Sequence, residues 1–132
     1  MSVTTVPATR TDEGLRWGIV AAIVAAAVAH IPVIAPHLDE APYMGVLFIA
    51  LTVVCLGLGA AVATTDRTWA YQAAAAVCGA AVLAYAATRL VAFPQLADDV
   101  GNWFEPLGVV SVLTESLVVV LAVTALRRRT AA

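Results

Sequence analysis

The sequence predicts an all-α protein, a four-transmembrane-helix up-down-up-down bundle with N and C termini cytoplasmic, and three observations carry that prediction. Four apolar blocks, at about 15–34, 42–63, 68–93 and 103–126, are each long enough to cross a hydrocarbon core of ~30 Å. Charged residues make up 12% of the chain, about half the ~25% of a soluble domain. The seven basic residues are all arginines, and all but Arg89, which lies inside the third block, segregate. Arg10 precedes the first block and Arg16 lies at its very start, Arg67 sits in the second turn, and Arg127, Arg128 and Arg129 follow the fourth block. The turns "PVIAPHLDEAP" and "PQLADDVGNWFEP" hold no basic residue but carry Asp39, Glu40, Asp98, Asp99 and Glu105. The positive-inside rule therefore places both termini in the cytoplasm and the two acidic turns outside.

Taken in order, residues 1–14 ("MSVTTVPATRTDEG") are polar and read as a flexible cytoplasmic tail. The first block is too long for a signal-peptide core, so it is expected to remain as a helix. Asp39 or Glu40 with Pro42 opens the second span, because proline is well placed in a first helical turn. "TTDR" (64–67) joins spans two and three in about four residues, which requires a tight antiparallel hairpin with Asp66 capping span three. Asn102 and Glu105 have capping-box spacing ahead of span four, so that helix is expected from Trp103. Trp17 and Trp69 mark the inner interface, while Tyr43, Phe93, Trp103 and Phe104 mark the outer one. Residues 127–132 form a basic cytoplasmic tail.

Two further patterns run along the spans. "DEAPYMGVLFIAL" and "WFEPLGVVSVL" share an acid, a proline and a Gly-Val entry, consistent either with a duplicated hairpin or with a common capping need. Stretches such as "AAIVAAAVA" and "GLGAAVA" supply the small residues through which helices approach closely in lipid. Cys55 and Cys78 fall mid-span without CxxC spacing and read as small packing residues.

Ionisable residues inside the spans are the candidate site. Glu115 lies twelve residues beyond Trp103, ~18 Å into the bilayer, where an acid costs about 2.5–3.5 kcal/mol to insert and so needs a partner. Arg89, four residues from the outer end of span three, is the expected one. Tyr85 lies one turn below Arg89, Ser111 one turn above Glu115, and His30 is level with Arg89 if span one ends at Ile34. The expectation is a cluster of Glu115, Arg89, His30, Tyr85 and Ser111 open to the outer side, serving as a register device, a proton or ion relay, or a ligand pocket.

His30, His37, Asp39 and Glu40 are a second constellation, of donor types that suit zinc or copper, and a single haem is the further option. Their spacing matches no ligand signature, so the expected cofactor is none. The sequence has no phosphate loop, HExxH, CxxC or nucleophile triad. Its only basic run flanks a span, so no nucleic-acid partner is expected.

The histidine closing span one, "GVLFIAL" in span two, "EPLG" opening span four and the glutamate nine residues after its proline resemble a group of small four-span membrane proteins of unknown function from high-GC Gram-positive bacteria. The resemblance implies a topology and a lineage but no activity. The expected protein is a non-catalytic component of the cell membrane, an accessory subunit or small binding protein, with a membrane-protein partner or a second copy of itself. The alternatives are a small ion- or proton-coupled carrier using Glu115, and an outward metal or haem binder through His30 and His37.

Overall fold

A computed structural model describes residues 10–132 of the chain. It contains four helices, α1 (Glu13–Glu40), α2 (Pro42–Thr65), α3 (Thr68–Leu90) and α4 (Pro106–Ala131), each long and apolar enough to span a membrane. Among the described residues there is no strand. The helices form an up-down-up-down bundle in which α1 packs against both α2 and α4, α4 packs against α3, and α2 touches α3 least. One end carries residue 10, the α2–α3 turn and residue 132. The other carries Ala41 and the α3–α4 loop.

The distribution of polarity is that of a lipid-embedded bundle. Leu83 is 72% exposed and Val53 and Leu113 are each 64% exposed, whereas Glu115 is 2% and His30 4%. Alkyl side chains turned outward and ionisable ones turned inward suit hydrocarbon as solvent, and would be backwards in water. Threonines in the spans satisfy their own hydroxyls by donating one turn back, as Thr52 does to the Phe48 carbonyl at 2.8 Å and Thr124 to the Val120 carbonyl at 2.7 Å. The interior is built from Ile19, Ile23, Val62, Tyr71 and Val118, with buried alanines at 22, 27, 70, 74, 122 and 125 admitting close helix approach.

Several boundaries differ from the sequence expectation. The part of the expected tail at residues 1–9 lies outside the described residues, and Glu13 and Gly14 are already helical because Asp12 caps α1, its Oδ1 accepting from the Leu15 N–H. At the other terminus, residues 127–131 continue α4 rather than forming a tail. The largest departure is α1, which runs through Pro32 and Pro36 to Glu40. Proline removes a helical hydrogen bond but is tolerated near a membrane helix end, where the freed carbonyls find other partners. A single residue, the buried Ala41, then links α1 to α2, and neither Asp39 nor Glu40 caps α2.

In the α3–α4 region, α3 ends at Leu90 rather than Phe93, just ahead of the extended backbone that Pro94 favours. Helix α4 begins at Pro106 rather than Trp103, and Glu105 is its N-cap, accepting from Leu107 N at 3.1 Å and Gly108 N at 2.5 Å. Asp66 does not cap α3. It closes α2 in the left-handed conformation, φ 47°, and its carboxylate accepts from Thr11 N and from the Tyr71 hydroxyl.

Candidate functional site

The depth of each ionisable residue follows from these boundaries. His30 lies ten residues before Glu40 and Glu115 nine after Pro106, so each sits ~14–15 Å from the loop end of its own helix at 1.5 Å per residue. Arg89, by contrast, is the penultimate residue of α3 and belongs at the rim. Equal depth on packed neighbours brings His30 to Glu115: Nε2 and Oε1 are 3.2 Å apart, with both side chains buried.

The imidazole's other nitrogen decides what lies between them. Nδ1 of His30 is 2.6 Å from the carbonyl oxygen of Ala26. A carbonyl only accepts, so Nδ1 carries a proton. Nε2 therefore faces Glu115 either as the second N–H of an imidazolium beside a carboxylate, or as a lone pair receiving the O–H of a neutral carboxylic acid. Both arrangements leave the pair neutral overall, the state that burial in hydrocarbon favours, although the two atoms meet without hydrogen-bond alignment and Glu115 Oε1 has no hydrogen-bond partner among the described residues.

Phe48 of α2 packs beside this pair, its ring centroid 5.5 Å from that of His30 and 4.9 Å from that of His37. Cys55 of α2 and Cys78 of α3 are fully buried free thiols. The mid-bundle interior thus holds His30, Cys55, Cys78 and Glu115, one from each helix, while α3 also buries Tyr71 toward the opposite end.

Arg89 belongs to a separate group at the loop end. Its Nη1 is 2.9 Å from Asp99 Oδ1, its guanidinium carbon lies 4.3 Å from the centroid of the Tyr85 ring, and its carbonyl accepts from Gly101 N. The Tyr85 hydroxyl donates to the Trp103 carbonyl at 3.0 Å. Arg89 and Tyr85 therefore hold the α3–α4 loop, and the expected Arg89–Glu115 ion pair is replaced by Arg89–Asp99 and His30–Glu115. Ser111 is buried one turn from Glu115, and its carbonyl accepts from the Thr114 hydroxyl. The expected outward opening also differs, because His30 and Glu115 are closed off by packing.

The second constellation is dispersed. His37 donates from Nδ1 to the Val33 carbonyl at 2.7 Å and meets Phe48 edge to face, while Asp39 and Glu40 are exposed. Among the described residues, no three His, Cys, Asp or Glu side chains gather as metal ligands would.

A third group lies at the opposite end. Asp66 accepts from the Tyr71 hydroxyl at 2.5 Å, and Arg129 of α4 donates to both its carboxylate and its backbone carbonyl. Burial would raise the Asp66 carboxyl, but hydrogen bonds from Tyr71 and Thr11 and the Arg129 charge outweigh it and hold the group below its ordinary value. The signal for this hub was present in "TTDRTWAY", where Asp66 and Tyr71 are five residues apart, but the reach of Arg129 from α4 was not visible in sequence.

No protein-family model matches the chain, and no curated protein and no solved structure matches it.

Proposed function

We propose that this chain is a non-catalytic integral membrane protein of a bacterial cell membrane, of the high-GC Gram-positive kind its motifs resemble. It works as an accessory subunit or small binding protein, with both termini in the cytoplasm. The observation behind this reading is the sealed His30–Glu115 pair. Nδ1 of His30 is engaged by the Ala26 carbonyl, and Nε2 stands at ion-pair distance from Glu115 Oε1, which has no aligned hydrogen-bond partner among the described residues, so the contact fixes α1 against α4. A group engaged in register between two helices is not presented to a substrate. The alternating arginine-rich and acidic flanks support the orientation.

The proton that the pair carries favours a second reading, a small proton-coupled carrier in which the pair opens and exchanges that proton. One comparison separates the two. Purification from the native host in mild detergent should bring a stoichiometric membrane-protein partner, or a second copy of the chain. Proteoliposomes of the purified chain should then show no proton flux above empty vesicles. Flux that Glu115→Gln abolishes would replace the first reading with the second.

A further inference from the structure

At the end carrying residues 10 and 132, the approach to α1 and the last turns of α4 enclose a cavity of about 360 Å³. Arg10, Arg128 and Arg129 line it together with Asp12, and Leu15 and Ala125 form its apolar part. Arg129 is committed to Asp66, and Asp12 to capping α1. Arg10 and Arg128 are exposed and enter no ion pair among the described residues. Two uncommitted guanidiniums, one from each side, therefore face a space with an apolar floor.

The level of this cavity along the bundle is marked independently. Trp17 and Trp69 are 50% and 51% exposed, and tryptophans turned toward lipid mark the headgroup level. Leu15 lies just beyond Trp17 toward the chain terminus, so the cavity sits where headgroups meet acyl chains. We infer that the cavity between the start of α1 and the end of α4 is a binding site for the phosphate headgroup of an anionic phospholipid. Arg10 and Arg128 hold the phosphate oxygens, and Leu15 and Ala125 carry the start of the acyl region. Guanidinium forks suit phosphate oxygens bidentately, and basic pockets beside transmembrane helices take such headgroups. A free phosphate would satisfy the arginines but leave the apolar floor bare, which favours the lipid as source. The inference goes beyond the function proposed above and does not depend on it.

Native mass spectrometry of the full chain in an uncharged detergent tests it, with phosphatidylglycerol, phosphatidylcholine and inorganic phosphate as separate probes. Phosphatidylglycerol should be retained at lower concentration than phosphatidylcholine. R10Q/R128Q should raise its half-saturation roughly thirtyfold, the scale for removing two interfacial charges, and R128Q alone should give a smaller rise. R127Q removes the same charge from the same helix end but outside the cavity, and should behave like the parent protein. Equal weakening by R127Q, or equal retention of phosphatidylcholine, would overturn the site. Inorganic phosphate displacing the lipid at equal concentration would overturn the lipid as its ligand. Arg10 and Arg128 are exposed, so an unchanged melting temperature in the variants certifies that folding is intact.

Discussion

Nε2 of His30 and Oε1 of Glu115 face each other at 3.2 Å across the α1–α4 interface, while the Ala26 carbonyl holds the proton on Nδ1 of the same ring. A neutral pair needs one proton between the two side chains, whichever of them owns it. Glu115→Gln keeps a donor aimed at Nε2 and should lower stability in detergent by less than about 1 kcal/mol. Glu115→Leu leaves the imidazole lone pair buried and should cost about 1–3 kcal/mol. His30→Leu, which strands the carboxyl, should cost about 3–5 kcal/mol. In a double-mutant cycle, His30→Leu with Glu115→Leu should be less damaging than the sum by about 1–3 kcal/mol, whereas Arg89→Ala with Glu115→Leu should add. Additivity in the first cycle would remove the pair as a structural unit.

Arg89 is placed to organise the loop that follows it rather than the bundle interior. Its side chain binds Asp99, stacks on Tyr85, and its own carbonyl receives the Gly101 amide. Lysine keeps the charge but not the planar fork or the stacking. Arg89→Lys should therefore behave like Arg89→Gln, with amide hydrogen exchange in residues 97–103 faster by roughly tenfold or more. Exchange unchanged in Arg89→Lys would show that charge alone suffices.

The bundle itself was legible in sequence because length, apolarity and arginine segregation are each properties of whole segments. The site was only half legible, and the cause is specific. An end of the first span at Ile34, as the apolar block suggests, puts His30 near the rim. Because α1 continues to Glu40, His30 is deeper than that, at the level of Glu115. At α3 the shift runs the other way: an end at Phe93 would set Arg89 deep enough to reach inward, whereas the helix ends at Leu90. A few residues of boundary shift at 1.5 Å each were enough to exchange the partners. The choice of Glu115, His30 and Arg89 as the polar groups needed no boundary at all, only the rule that ionisable residues in spans are rare and partnered.

Asp66 supplies a pH dependence whose sign is determined. Its folded carboxyl is held below its ordinary value by Tyr71, Thr11 and Arg129 against the opposing effect of burial. The unfolded chain therefore takes up this proton at higher pH than the folded one, beginning near the ordinary value of ~3.9. The stabilisation is complete above that value and is lost as pH falls through the lower, folded one. Asn tolerates the left-handed backbone at this position, φ 47°, so Asp66→Asn removes the charge without straining the turn. Melting temperature should drop between about pH 5 and pH 3 in the parent protein, and Asp66→Asn should start lower and drop less. Parallel curves for the two proteins would assign the acid sensitivity elsewhere.

Two glycines of α2 test how closely the α1–α2 hairpin is drawn together by its one-residue link. A methyl group on Gly45 would lie 2.7 Å from the backbone nitrogen of Leu38 and 2.6 Å from its Cγ. Backbone cannot swing aside as a side chain can, so the helices would have to separate near Ala41, the residue that joins them. At Gly57 a methyl group would meet nothing within 4 Å, and alanine there gains only the reduced freedom of the unfolded chain. Gly45→Ala should destabilise the bundle by about 1–3 kcal/mol. Gly57→Ala should be neutral or stabilising by up to about 1 kcal/mol. Thermal denaturation in detergent reads both directly, and a Gly45→Ala protein that melts with the parent would mean that the loop end of the hairpin is looser than a 2.7 Å approach allows.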